Sequence, residues 1–176
     1  KKTQVRPVRP AAGTEKGGNA EIQVQLPRKQ AQLLEFLVFY PGFLKRFLEA
    51  GIEDILVENP AGDILDALQK LSEEKEVTRP EQLMEALPEG LERSYVSRLL
   101  ISSPFLGQDD SDVIAKMADE MLVWLVRYRF KKEIRQLSGD IRIAQESQDS
   151  KLLEELLLRK AELDKYLGSM DNGDTE

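Results

Sequence analysis

The chain has 176 residues, of which 32% are charged and 6% aromatic, and leucine dominates its apolar share. That length fits one core domain with an appendage, and the balance favours amphipathic helices over a sheet-rich sandwich. With no cysteine and no histidine, disulfides, thiolate and imidazole metal sites, Ser-His-Asp triads and Cys-His dyads are excluded together.

The net charge of −7 is unevenly spread. Residues 1–20 hold Lys1, Lys2, Arg6, Arg9 and Lys16 against Glu15, so +4 lies there and −11 remains for the other 156 residues. An acidic body opposes binding of nucleic acid, whose phosphates need a basic surface, and points to protein partners. No apolar run approaches the roughly 20 residues of a membrane span, and the N-terminus lacks a signal-peptide core, so a soluble, cytoplasmic chain without membrane contact is expected. A start at Lys1 in low-complexity sequence reads as a segment of a longer protein.

Residues 1–21 mix Pro7, Pro10, Gly13, Gly17 and Gly18 with charge and bury too little apolar surface to order, which predicts a disordered basic linker. Residues 22–130 read as an all-α, multi-helix bundle, punctuated by proline. Ala31, Leu33, Leu34, Leu37 and Val38 recur at helical spacing between Pro27 and the break at Pro41-Gly42. Phe43 to Leu48 gives a short helix ending at Gly51, and Ile52, Ile55 and Leu56 a brief segment before Asn59-Pro60. Ile64, Leu65, Leu68 and Leu71 form an amphipathic stripe. Thr78 and Glu81 fit a capping box for a helix reaching Leu87, and Leu91, Tyr95, Val96, Leu99 and Leu100 complete the bundle.

From Asp110 to Ser147 there is no proline and only Gly139, enough for about ten turns of helix. On a helical wheel Val113, Met117, Met121, Trp124 and Tyr128 cluster on one side. Val126, Phe130, Ile134, Leu137, Ile141 and Ala144 cluster on nearly the opposite side. The helix therefore serves the bundle first and another element after Phe130. Gln148, Asp149 and Ser150 interrupt the pattern. Leu152, Leu153, Leu156, Leu157, Leu163 and Leu167 then define a last helix that pairs antiparallel with it, a hairpin over residues 131–168, with 169–176 a disordered tail. Gly139 is the weak point of the hairpin arm.

Few residues invite a chemical reading. Asp109, Asp110 and Asp112 resemble oxygen donors for a divalent cation, but acidic groups just before a long helix serve as caps and dipole partners. Trp124, Tyr128 and Phe130 at helical spacing read as core rather than as a ligand pocket. No glycine-rich phosphate loop is present, and no catalytic, metal or cofactor site is expected. On the wheel Ile143 and Leu158 fall outside the paired stripes. Single exposed apolar residues are ordinary on a protein surface; the competing reading makes these two partner anchors, with Arg142, Glu155 and Arg159 as charged rim.

The order LLEFLVFYPGFLKRFLEAGIEDIL (Leu33 to Leu56), DILDALQKL (Asp63 to Leu71), MLVWLVRYRFKKEIRQL and a closing KLLEELLLRKAELDKYL resembles the C-terminal domain of bacterial DnaG-type DNA primases over about residues 22–168. The resemblance implies a non-catalytic bundle and hairpin that docks on the N-terminal domains of the hexameric replicative helicase. It implies that the contacts lie on the hairpin, at Ile141 to Glu155 around the tip and Leu158 to Leu167 behind it. No family motif fixes single positions, and within that region Ile141, Arg142, Ile143, Glu155, Leu158, Arg159, Glu162 and Tyr166 are the expected contacts. The N-terminal domain of the helicase itself has a similar fold; a linker before the bundle and an end after the hairpin favour the primase. An unrelated small-molecule module would need a pocket near Trp124.

Overall fold

The computed structural model describes residues 26–74, 79–102, 105 and 109–172. The expected linker at 1–21, Thr78 of the expected capping box and residues 173–176 lie outside the described residues. Within them the chain is all-α, with no strand: α1 (Arg28–Phe39), α2 (Leu44–Glu49), α3 (Ala61–Glu74), α4 (Pro80–Ala86), α5 (Leu91–Ser102), α6 (Ser111–Glu146) and α7 (Ser150–Asn172). Short 3-10 turns at Pro41–Phe43 and Ile52–Asp54 flank α2. No helix among the described residues is long and apolar enough to cross a membrane.

α1 is the axis of the bundle. Leu33, Leu34, Phe36, Leu37 and Val38 are all buried, so this helix is covered on more than one side. Phe36 lies at the centre of a ring cluster, 5.0 Å from Tyr40, 5.6 Å from Phe43, 5.8 Å from Phe47 and 5.7 Å from Phe105. Burial of each such ring stabilises the fold by about 1.5–3 kcal/mol. α3 supplies Ile64, Leu65, Leu68 and Leu71, α4 Leu83, and α5 Tyr95, Val96 and Leu99. α4 begins one residue later than a Thr78–Glu81 box requires. Its N-cap is Arg79, whose backbone N–H donates to the Gln82 side chain at 3.2 Å. An arginine side chain carries no acceptor, so only this half of a box forms.

α6 begins as expected, with the Asp110 carboxylate accepting from the N–H groups of Asp112 at 3.0 Å and Val113 at 3.2 Å. Its bundle face differs from the expected stripe. Ala118, Met121 and Leu125 are buried, whereas Val113 and Tyr128 are exposed and Met117 and Trp124 half-buried. A wheel weighted by apolarity overlooks Ala118, yet it is fully buried as part of the bundle core. Further along, Leu137 and Ala144 are buried on the hairpin side. The helix does change faces, but the two stripes lie about a third of a turn apart rather than half.

α7 returns along α6, and Leu163 is buried between them. Leu153, Leu156 and Leu167 are half-buried in the seam, but Leu152 and Leu157, expected there, are 42% and 49% exposed. α7 also passes Gly168 and continues to Asn172, so residues 169–172 are helix rather than tail. Met170 is half-buried and its carbonyl accepts from Arg127, which holds this last turn against α6.

Candidate partner-docking site

Two sets of contacts hold the segment of α6 that bundle and hairpin share. On the bundle side, Arg129 Nη1 donates to the Ala50 carbonyl at 2.7 Å and its Nε lies 3.1 Å from the Asp54 carboxylate. Lys132 donates to the Asp54 carbonyl at 3.3 Å, and Asp119 pairs with Arg46 at 2.7 Å. These cations neutralise carbonyls and a carboxylate at the end of α2 and the turn after it. On the hairpin side, Arg127 bonds Met170 and the Phe130 ring lies 6.2 Å from Tyr166. Beyond Lys132 the main packing partner of α6 among the described residues is α7.

The tip is closed by backbone chemistry. Gln148 adopts a left-handed conformation at φ 57°, and the Asp149 N–H reaches back to the Ala144 carbonyl at 3.1 Å, ending α6. The Asp149 carboxylate then accepts from the Leu152 N–H at 3.1 Å, starting α7.

The expected contact residues divide into groups. Glu155, Arg159, Glu162 and Tyr166 follow helical steps along one edge of α7 and come together there. Arg159 bonds Glu133 of α6 at 2.9 Å and lies 3.6 Å from Glu162. The bond to Glu133, then its charge, raises the Arg159 pKa above the ordinary guanidinium value. Arg159 is therefore a strut of the seam as well as an exposed cation, and its replacement tests both roles at once. Ile141 is half-buried in the seam, and Arg142 is exposed on the other edge of α6.

Ile143 and Leu158 are exposed, as expected, but do not share a patch. Glu133 opposite Arg159 and Phe130 opposite Tyr166 set the register of the pair. Leu158 then sits about two turns of α6 away from Ile143. What sequence reasoning missed is an apolar concavity of about 400 Å3 along α7, lined by Ser150, Leu153, Glu154, Leu157, Leu158 and Ala161. The signal is present in the spacing, since these positions repeat every three and four residues, but the same leucine periodicity reads Leu157 as part of the seam.

A second concavity, of about 210 Å3, lies between α1 and α6 and is lined by Lys29, Gln32, Leu33, Met117, Glu120, Met121 and Trp124. It is smaller than the roughly 300 Å3 at which ligand pockets usually begin. The Trp124 ring stacks on Tyr128 at 5.2 Å, so its outer face is already engaged. In the bundle, burial pushes the Glu35 carboxyl up against the opposing effect of Arg98. Burial, then the Glu35 charge, pushes the Tyr95 phenol up to about 12, with Arg98 opposing. Both groups lie beside the α1 and α5 contact rather than in either concavity. Comparison with family models, with curated proteins and with solved structures finds no match for this chain.

Proposed function

We propose that this chain is the helicase-docking domain of a bacterial DNA primase, a non-catalytic cytoplasmic module. It grips the N-terminal domains of the hexameric replicative helicase through its hairpin, couples primer synthesis to DNA unwinding, and modulates the helicase. The observation that carries the reading is α6, one unbroken helix of 36 residues. It buries Ala118, Met121 and Leu125 in the bundle, is clamped at Arg129, and continues as an arm of the hairpin. That arrangement suits a domain in which load on the hairpin must reach a bundle behind it. The order of segments from Leu33 to Leu167, which resembles the primase family, supports the same reading, and the acidic body favours a protein partner over nucleic acid.

Co-sedimentation with a purified bacterial replicative helicase tests it. The chain is expected to travel with the intact hexamer and to be left behind by helicase lacking its N-terminal domains. Absence of any complex, or an equal complex with the truncated helicase, contradicts the proposal.

A further inference from the structure

The two edges of the hairpin are chemically unlike. The Arg159–Glu133 pair marks one edge, where Glu133, Asp140, Glu155 and Glu162 outnumber the single arginine. Both helices wind right-handed and run antiparallel. That pair therefore fixes the opposite edge as the one carrying Lys131, Arg135 and Arg142 of α6 beside Leu153 and Leu157 of α7. All three cations are exposed, and none makes an ion pair among the described residues. Of the carboxylates on this side of α7, Asp164 is engaged by Lys160 at 2.9 Å, and Glu154 lines the concavity toward the hairpin tip.

The two stripes match in length. Lys131 to Arg142 on α6 and Ser150 to Ala161 on α7 each cover three turns, about 16 Å. The register places Leu153 level with Arg142, and Leu157 between Arg135 and Ser138. Leu157 and Leu158 are 49% and 61% exposed, a contiguous apolar surface on a helix whose main neighbour among the described residues is α6. An apolar strip of about two turns, from Leu153 to Ala161, beside a row of unpaired cations complements an amphipathic helix that carries acidic residues along one flank.

We propose that this edge receives such an acidic amphipathic helix from a partner protein, laid lengthwise along the apolar concavity of α7 on the side where α6 carries its three cations. Its apolar residues pack on Leu153, Leu157 and Ala161, and its carboxylates meet Lys131, Arg135 and Arg142. The inference rests on the docking function proposed above for the identity of the partner, but not for the chemistry of the face. Like charge disfavours the chain's own basic first 20 residues as the occupant. A nucleic acid strand would leave the leucines unused and would face a body of net charge −11.

The test is fluorescence anisotropy on the whole chain, with no helicase present, so that its failure and the failure of the helicase reading are separate results. Three labelled probes are compared: a helical peptide with one leucine stripe flanked by glutamates, the same peptide with lysines for glutamates, and a single-stranded oligonucleotide. The glutamate peptide is expected to bind best, and more weakly as salt rises. The triple variant Lys131→Glu, Arg135→Glu, Arg142→Glu and, separately, Leu157→Asp are each expected to lower its affinity by about tenfold or more. These side chains are exposed, so the thermal melt should not change. No binding of the glutamate peptide, equal binding of the lysine peptide, preference for the oligonucleotide, or an unaffected triple variant overturns the proposal. So does self-association of the chain that the triple variant abolishes while peptide binding persists.

Discussion

Arg129 donates to the Ala50 carbonyl at 2.7 Å from the space that a side chain at Gly51 would fill. A Cβ built on Gly51 comes within 2.4 Å of the Arg129 guanidinium carbon, and the residue already sits at φ 82°, in the left-handed region. Glycine is thus required twice, by the turn that ends α2 and by the cation that clamps α6 onto it.

Gly51→Ala is expected to destabilise the chain by about 1–2 kcal/mol, from backbone strain and from displacement of Arg129. Chemical denaturation measures the loss. Arg129→Lys in the Gly51→Ala background should cost less than Arg129→Lys in the natural chain, because the clamp is already displaced. Strictly additive effects would separate the glycine from the clamp.

The hairpin tip offers two changes of opposite kind. Gln148 holds a left-handed conformation that glycine adopts freely, so Gln148→Gly should stabilise the hairpin by roughly 0.5–1 kcal/mol. Gly139 lies in mid-helix, where an added Cβ meets nothing within 4 Å, so Gly139→Ala should stabilise by a similar amount, roughly 0.5–1 kcal/mol. Amide hydrogen exchange along α7 reads both as slower opening. Faster exchange in either variant would contradict the geometry. If Gly139→Ala stiffens the arm and leaves partner binding unchanged, docking needs no bend there.

Stability should carry a signature of Glu35. Its folded pKa is raised above the ordinary 4.5 by burial, so its contribution is fully present below that value and is lost as pH rises through the higher folded value. The melting temperature of Glu35→Gln relative to the natural chain should therefore climb as pH rises from about 4 and then level off. A difference independent of pH, or one that falls with rising pH, would contradict the assignment.

Much of the fold is legible in the sequence because proline, glycine and leucine spacing act locally. Pro41, Gly51 and Pro60 punctuate the short helices, and the stripe from Ile64 to Leu71 is buried as its spacing requires. The change of face in α6 was also legible, but not its angle, since Ala118 contributes to burial through smallness rather than apolarity. The site was less legible. A wheel shows that α7 carries two apolar stripes but not which one the seam takes, and Leu157, whose spacing suits the seam, lies outside it. The strut between Arg159 and Glu133, 26 positions apart, and the bond from Arg129 to a backbone carbonyl leave no periodic trace at all.

The most direct test of the central claim is the affinity of a purified bacterial replicative helicase for the whole chain and for a chain ending at Phe130. Removal of the hairpin is expected to weaken binding by about a hundredfold or more, while circular dichroism still reports a helical bundle. Undiminished affinity of the shortened, folded chain would show that the hairpin is not the grip.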